Sequence, residues 1–263
     1  MNQKGGVGKT TTAVNLAAGL AVAERPTLLV DLDPQTNATV GVCLDRRDLS
    51  GPTMYEVLLE GAEAGSACQA TGLPYLTLLP GSPDLVGAEV TLVGMQAREG
   101  RLRAALGALR DRYAFLVVDC PPSLGLLTVN ALAAADAALI PLQCEYYALE
   151  GLAQLMKTLD LVRARVNPHL EVEGIVFTMF DGRTSLALQI RAEVERYFRG
   201  QLFRTVIPRS VRLTEAPSHG KPIVQYDLRS PGAVAYLELT REVLAHAQAR
   251  ARSRARGAAS AAG

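Results

Sequence analysis

The sequence has few residues of the kinds that build metal–thiolate centres. Its four cysteines (Cys43, Cys68, Cys120 and Cys144) are far apart, and none belongs to a Cys-x-x-Cys pair. The sequence has three histidines and no His-rich tract, so no Cys/His cluster has the spacing of a zinc or iron–sulfur site. Widely spaced cysteines of this kind indicate reduced thiols, and the sequence therefore predicts a cytoplasmic protein without a structural metal centre.

Long apolar runs are also missing. No stretch approaches the roughly 20 apolar residues of a membrane span, and the first residues do not read as a signal peptide. Beyond Leu244 the chain has no Leu, Ile, Val, Phe or Trp, so it lacks the bulky face of a membrane-binding amphipathic helix. We expect a soluble protein with no membrane partner.

The most informative stretch is the glycine-rich start, Met-Asn-Gln-Lys-Gly-Gly-Val-Gly-Lys-Thr. Glycines let backbone N–H groups approach a polyphosphate closely, a lysine neutralises its outer phosphates, and a threonine hydroxyl can bind Mg²⁺. A helix that opens at Lys9 would add its positive N-terminal dipole. The pattern predicts a site for a nucleotide and Mg²⁺ formed by Lys4, Gly5, Gly6, Val7, Gly8, Lys9, Thr10 and Thr11.

A phosphate loop of this type normally follows directly on a buried strand. No strand-forming residues precede the loop in this sequence. We therefore expect a β-branched, apolar strand upstream of Met1. A start assigned too late and a truncated sequence both remain open as explanations, and the late start is favoured.

Carboxylates follow two predicted buried strands. Thr27 to Val30 leads into Asp31 and Asp33, and Phe115 to Val118 leads into Asp119. Ligands of open α/β sheets lie at the carboxyl ends of the strands, and an Asp there can hold Mg²⁺ through water. Cys120 follows Asp119, and we interpret it as a packing residue because no His or Asn partner is near it in the sequence.

The order of the predicted elements indicates an α/β fold, with a mostly parallel twisted sheet and helices on both faces. Residues 1–248 are expected to form one domain that ends in a helix near Gln248, and residues 249–263, which contain only Ala, Arg, Ser and Gly, a disordered tail. Asn37 to Gly51 is predicted to be a loop. Further strands are expected at Leu76–Leu79, Ala137–Leu142, Val172–Phe180 and Phe203–Ile207. Helices are expected at Arg101–Arg112, Leu124–Ala135 and Ser185–Phe198, and a further helix, capped by Ser82 or Asp84, is expected to end at Val93.

The start matches K-G-G-x-G-K-[ST], the deviant Walker A motif, and the chain resembles the ParA/Soj branch of the ParA/MinD group of P-loop ATPases. The resemblance extends to Asp119–Ser123, Gln143–Gly151 and Ile207–Tyr226. It implies that ATP is bound in a sandwich homodimer, with Lys4 reaching the partner's nucleotide. It also implies that Asp33 orients the attacking water, that Asp31 supports the magnesium shell, that Asp119 is the Walker B carboxylate, and that Pro208 and Arg209 join the nucleotide site.

The same resemblance implies a DNA partner. Residues 183–263 hold 14 Lys and Arg against 6 Asp and Glu, whereas residues 1–182 hold 13 against 20. In the ParA branch, the arginines at the positions of Arg183 and Arg212 contact double-stranded DNA without sequence preference, and a ParB-like protein stimulates hydrolysis. This predicts nucleoid association. Alternatively, Arg209 or Arg212 contacts the nucleotide or an acidic neighbour such as Glu215.

Two other function classes would each need a further feature. A MinD-like, membrane-associated ATPase that positions the cell-division site would need an amphipathic C-terminal helix, which the sequence does not provide. A metabolic P-loop enzyme, such as an amide or phosphate transferase, would need a substrate pocket of its own.

Overall fold

The computed structural model describes residues 5–43 and 49–261, with side chains as far as Ser253. Lys4, and any strand ahead of it, lies outside the described residues. Strands and helices alternate through most of the chain, which confirms the predicted α/β class. The strands are β1 (Thr27–Asp31), β2 (Gln69–Ala70), β3 (Leu76–Leu79), β4 (Phe115–Asp119), β5 (Ala137–Gln143), β6 (Glu171–Phe180) and β7 (Leu202–Pro208).

The helices cover the faces of these strands. They are α1 (Lys9–Val22), α2 (Asn37–Val40), α3 (Ala64–Ala67), α4 (Leu85–Val93), α5 (Arg101–Gly107), α6 (Leu126–Ala134), α7 (Ala148–Arg165), α8 (Ser185–Tyr197), α9 (Val211–Glu215), α10 (Ile223–Tyr226) and α11 (Pro231–Ala261), with a π-helical turn at Glu56–Glu60 and a 3₁₀ turn at Ala216–His219. No helix in the described ranges is both long and apolar enough to cross a membrane.

The described strands form two sheets, where the sequence predicted one. The first has the order β2-β3-β1-β4 and the second the order β5-β6-β7. Every pairing is parallel except that of β2 with β3. No described strand hydrogen-bonds to both β4 and β5, and this separates the two sheets.

Strand β1 shows how the layers form. All five of its residues are buried, so its side chains alternate between two helix layers. Leu28 and Val30 pack with α4, α5 and α6 on one face. Leu29 packs with α1 on the other face. The register then sets Asp31 directly beside Asp119 of β4, at the carboxyl ends of both strands.

Some predicted boundaries were wrong. The predicted loop after Asn37 contains α2, and the helix from Arg101 ends at Gly107, a poor helix former. Helix α11 runs to Ala261, so residues 249–261 are helical rather than disordered. Alanine and arginine are strong helix formers, and Arg250 forms an ion pair with Glu173 of β6, which gives the extended helix a contact with the body of the protein.

Candidate nucleotide-binding site

The glycine-rich loop lies immediately before α1. Gly6 and Gly8 have φ angles of 78° and 82°, a region that favours glycine, and Gly8 is the residue that precedes the first turn of α1. A Cβ at Gly5 or Gly6 would have open space around it. Backbone conformation, rather than crowding, therefore requires glycine at position 6. The loop and the helix N-terminus together present backbone N–H groups, the usual seat of a phosphate.

Three buried hydrogen bonds hold this loop and its helix against the rest of the fold. The Thr178 hydroxyl of β6 donates to the Val7 carbonyl at 2.8 Å. The Tyr236 hydroxyl of α11 lies 3.1 Å from the Thr12 hydroxyl. The backbone N–H of Ile223 donates to Oδ1 of Asn15 at 2.7 Å. Sequence reasoning missed these residues because each partner lies more than 170 positions away, and the one available signal was a polar side chain in an apolar segment.

Asp31 is fully buried and holds the chain that follows it. Its Oδ2 accepts the Thr39 N–H at 2.7 Å and the Thr39 hydroxyl at 2.6 Å, and its Oδ1 accepts the Asp33 N–H at 3.2 Å. Burial raises the pKa of Asp31 to about 6, and the bonds from Thr39 oppose the rise. With hydrogen bonds to both oxygens, Asp31 positions the backbone at the carboxyl end of β1, and its predicted support of the magnesium shell stays a prediction.

Asp119 is the buried carboxylate that faces the loop. Burial, and next the charge of Asp31, raise its pKa to about 7, while a hydrogen bond with Thr10 and the charge of Lys9 lower it. Its Oδ2 is buried and has no hydrogen-bond partner among the described residues. A hard cation would satisfy that oxygen, so the geometry fits the predicted metal role of Asp119 beside Thr10.

Asp33 completes the acidic side of the site. Its Oδ1 accepts the Gln35 N–H at 2.9 Å and its carbonyl accepts the Thr36 N–H, so its side chain is held in a tight turn. No group of three or more His, Cys, Asp or Glu residues in the described ranges is arranged to hold a metal ion. A cation between Asp33, Asp119 and Thr10 would therefore complete its shell with phosphate oxygens and water, as Mg²⁺ commonly does.

Lys9 supplies the positive charge at the other side of the loop. Burial lowers the pKa of its ammonium group, and the charges of Asp119, Asp33 and then Cys120 oppose that shift. Burial, and next the charge of Asp119, raise the pKa of the Cys120 thiol to about 12. The thiol is therefore protonated at neutral pH, in agreement with the interpretation of Cys120 as a packing residue.

The predicted DNA-binding arginines are exposed but paired with acids. Arg183, 89% exposed in the turn after β6, donates two hydrogen bonds of 2.8 and 2.7 Å to the Asp181 carboxylate. Arg212 donates to Glu215 at 2.9 Å and lies 3.4 Å from Asp227. Arg212 is in helix α9, because the chain re-enters a helix right after Ser210. The contact with Glu215 is the alternative that the sequence left open.

Pro208 and Arg209 mark the end of β7. Pro208 is the last residue of the strand and lies in register with Phe180 of β6. Arg209 is exposed. Hydrogen bonds from Arg183 are the main cause of the lowered pKa of Asp181, and the charge of Arg209 adds to them. Both residues therefore lie at the edge of the second sheet that also carries Asp181 and Arg183, and their predicted contact with the nucleotide stays a prediction.

Known proteins resemble this chain over most of its length. Residues 1–172 match the family model of an AAA domain. The chain is 57% identical over 243 residues to the chromosome partitioning protein ParA of Myxococcus xanthus, a match that covers 92% of this chain and 86% of that protein. It is 52% identical over 245 residues to the sporulation initiation inhibitor protein Soj of Bacillus subtilis, covering 93% and 96% of the two chains.

Solved structures agree on the fold. Cobyrinic acid a,c-diamide synthase of Mycobacterium smegmatis with bound ADP and magnesium has a TM-score of 0.81 and 36% identity, covering 94% of this chain and 92% of that one. The cell division ATPase MinD of Pyrococcus furiosus has a TM-score of 0.75 and 27% identity, covering 92% and 95%. The structural neighbours thus differ in function, while the two sequence relatives above with half or more of their residues identical are ParA and Soj proteins.

Proposed function

The chain belongs to the ParA/Soj family of chromosome-partitioning ATPases, and on this premise we propose that it segregates DNA through an ATP-bound homodimer. That dimer binds double-stranded DNA without sequence preference, and a ParB-like partner releases it by stimulating ATP hydrolysis. The observation that carries the proposal is the position of the loop Gly5–Lys9 beside the carboxylates of Asp33 and Asp119.

ATP and Mg²⁺ are the ligands that this arrangement fits. The backbone N–H groups of Gly5 to Gly8 and the N-terminus of α1 surround the phosphates, and Lys9 neutralises their outer charge. Thr10 and the buried Oδ2 of Asp119 are the residues that would hold Mg²⁺. When bound, the ion neutralises charge on the phosphate oxygens.

Hydrolysis in this proposal depends on Asp33 and Lys4. The turn that fixes Asp33 leaves its carboxylate at the carboxyl end of β1, where it orients the attacking water. Lys4 acts on the nucleotide of the partner subunit, as in the family that the motif defines. Both roles concern the hydrolysis step or the dimer, so they add little to the ground-state affinity of one subunit for ATP.

The DNA surface is the basic region of the C-terminal third. Residues 183–229 hold nine Lys and Arg against four Asp and Glu, and Arg183 is highly exposed. Dimerisation doubles this region, so ATP would switch DNA affinity on without any change in the contacting residues. Nucleoid association follows from DNA binding. The membrane-associated, MinD-like alternative is disfavoured because α11 has no bulky apolar residue past Leu244.

The loop lysines provide the test. Lys9→Ala should lose ATP binding, because the phosphate charges would face the loop without their main cation. Lys4→Ala should still bind ATP as a monomer but neither dimerise nor hydrolyse it. ATP affinity is measured by calorimetry, dimerisation by size-exclusion chromatography, and DNA binding by gel shift with random-sequence duplex. Equal loss of ATP affinity in both variants would refute the cross-dimer role, and ATP-independent DNA binding by Lys9→Ala would refute the nucleotide switch.

A further inference from the structure

Thr36 is a β-branched residue held in a left-handed backbone conformation. Its φ and ψ angles are 54° and 30°, and the residue is only 1% exposed. Glu24, Tyr75, Ala97 and Met179 also have positive φ angles, but none of them is β-branched or buried. Branching at Cβ makes this conformation costly, so contacts with the surrounding fold must hold Thr36 in it.

The side chain of Thr36 lacks the hydrogen bond that a threonine usually makes at this place. Thr36 immediately precedes α2, where a threonine with an extended backbone normally accepts an N–H from the second or third residue of the helix. No such cap forms here, and the Thr39 N–H donates to Asp31 instead. The buried Oγ1 of Thr36 has no hydrogen-bond partner within residues 5–43 and 49–261. The left-handed conformation is therefore unfavourable for both the backbone and the hydroxyl of Thr36.

Two backbone hydrogen bonds meet at Thr36. Its N–H donates to the Asp33 carbonyl at 2.8 Å and closes the turn that carries Asp33, and its carbonyl accepts the Val40 N–H at 3.1 Å in α2. Rotation about the N–Cα bond of Thr36 moves these two bonds relative to each other, so a change of φ breaks one of them. The turn and α2 keep their arrangement only while the φ angle of Thr36 stays positive.

The turn is held less firmly than α2. Thr39 ties α2 to the end of β1 through two buried hydrogen bonds, of 2.7 and 2.6 Å, to Oδ2 of Asp31. The turn depends on the Thr36 N–H and on a bond of 2.9 Å from the N–H of the exposed Gln35 to Oδ1 of Asp33. Relaxation of Thr36 to a negative φ would therefore open the turn, leave α2 in place and move the Asp33 carboxylate.

We propose that Thr36 is a positioning residue that slows ATP hydrolysis by disfavouring the turn that carries Asp33. An L-residue adopts the left-handed conformation about five- to thirtyfold less readily than the right-handed one, and a β-branched residue is among the least tolerant. The closed turn sets the Asp33 carboxylate at the end of β1 and the open turn withdraws it, so the rate of hydrolysis follows the population of the closed turn. This inference rests on the role proposed above for Asp33.

The test changes the Thr36 side chain and leaves Asp33 intact. Thr36→Gly frees the left-handed conformation, whereas Thr36→Ala removes the same hydroxyl and methyl groups but keeps Cβ. At saturating ATP, the kcat of Thr36→Gly should exceed those of the wild type and of Thr36→Ala about fivefold. The affinity for ATP, measured by calorimetry, should stay within about twofold of the wild type. In an Asp33→Ala background, Thr36→Gly should give no gain, because it acts through Asp33.

Two further measurements separate positioning from stability. Without nucleotide, the Gln35 amide should exchange about fivefold more slowly in Thr36→Gly than in Thr36→Ala, because opening of the turn breaks its hydrogen bond. Glu24, exposed after α1 with a φ of 57°, provides the matched control. Glu24→Gly should raise Tm by about 2–4 °C over Glu24→Ala, as Thr36→Gly does over Thr36→Ala, but kcat should not change.

Each outcome decides the proposal. A Tm gain in Thr36→Gly with the kcat of the wild type would make the strain purely structural and would overturn the proposal. A kcat gain that persists without Asp33, or an equal gain in Glu24→Gly, would overturn it as well. If Asp33→Ala loses hydrolysis while Thr36→Gly leaves kcat unchanged, this inference fails and the proposed role of Asp33 stands. Normal hydrolysis by Asp33→Ala would instead count against that role itself.

Discussion

The hydroxyl of Thr178 donates a 2.8 Å hydrogen bond to the carbonyl of Val7, so the middle of the second sheet holds the phosphate loop directly. Val7 is only 1% exposed, and its carbonyl has no access to water to replace that bond. The methyl group of Thr178 also lies 3.7 Å from the position that a Cβ on Gly8 would occupy. Thr178 is thus a positioning residue for the loop.

Thr178→Val should weaken ATP binding about tenfold and lower stability. The substitution keeps the shape of the side chain but leaves the buried Val7 carbonyl without its donor, which costs about 1–3 kcal/mol. Calorimetric titration with ATP and Mg²⁺ and a thermal melt measure the two effects. Thr178→Ser keeps the hydroxyl and should retain most of the ATP affinity. Wild-type ATP affinity in Thr178→Val would contradict the positioning role.

Asp33→Ala should trap an ATP-bound dimer. We expect the rate of ATP hydrolysis to fall on the order of a hundredfold or more, because the attacking water would lose its orientation while the phosphate contacts remain. Dimer and DNA binding should persist in ATP. Asp160→Ala, an exposed change on α7, is the matched control and should hydrolyse ATP normally. Size-exclusion chromatography that returned only monomer for Asp33→Ala in ATP would refute the assignment.

The raised pKa values of Asp119 and Asp31, about 7 and about 6, predict how stability depends on pH. In the unfolded chain both carboxyls ionise near pH 4, so between pH 4 and 7 the native state binds more protons. The free energy of unfolding should therefore fall as pH rises through this window. Above pH 7 the stability contributed by the two protonated carboxyl groups should be lost completely.

Asp119→Asn removes the larger part of this dependence. In EDTA and without nucleotide, its Tm should exceed that of the wild type by several degrees at pH 8, because an amide avoids the cost of a buried negative charge. The difference should shrink steadily toward pH 4. Thermal melts across that range provide the measurement, and a difference that did not change with pH would refute the raised pKa of Asp119.

Local patterns predicted most of the elements. The start of α1 at Lys9 and the strand β1 were correct. The loop lysine and the carboxylates of Asp33 and Asp119 belong to short motifs that the fold brings together, and their roles stay predictions. The residues that define the periodicity and the ends of these elements lie within a few positions of one another. Sequence patterns describe structure well over that range.

The remaining features depend on distant contacts. The two hydrogen bonds that Asp31 accepts from Thr39, eight residues further on, were not predicted. The bond from Thr178 to Val7 joins residues 171 positions apart, and no local pattern reveals such a pair. The helical end of α11 was missed because the sequence alone gave Arg250 nothing to contact, whereas the fold brings Glu173 beside it.

The exposed arginines Arg183 and Arg212 are paired with acids in the structure. Exposed ion pairs contribute little to stability, so DNA phosphates can compete with Asp181 for Arg183 and with Glu215 for Arg212. Asp181→Asn should then strengthen DNA binding, because it frees the Arg183 guanidinium without changing its position in the turn. If the ion pair between Arg183 and Asp181 were purely structural, Asp181→Asn would not increase DNA affinity. The variant therefore tests whether Arg183 contacts DNA.

Charge reversal completes the test. Arg183→Glu and Arg212→Glu should each abolish binding of random-sequence duplex at moderate salt and leave ATP-dependent dimerisation intact, because contacts with phosphates are electrostatic and independent of sequence. Arg25→Glu is the matched control: Arg25 is exposed just ahead of β1, at the opposite end of the sheet from Asp119, and its reversal should have little effect. Gel shifts over a range of salt concentrations measure affinity, and size-exclusion chromatography measures the dimer. If both reversed variants still shifted DNA, the contacts would belong instead to the arginines from Arg250 to Arg256, and the assignment of Arg183 and Arg212 would be wrong.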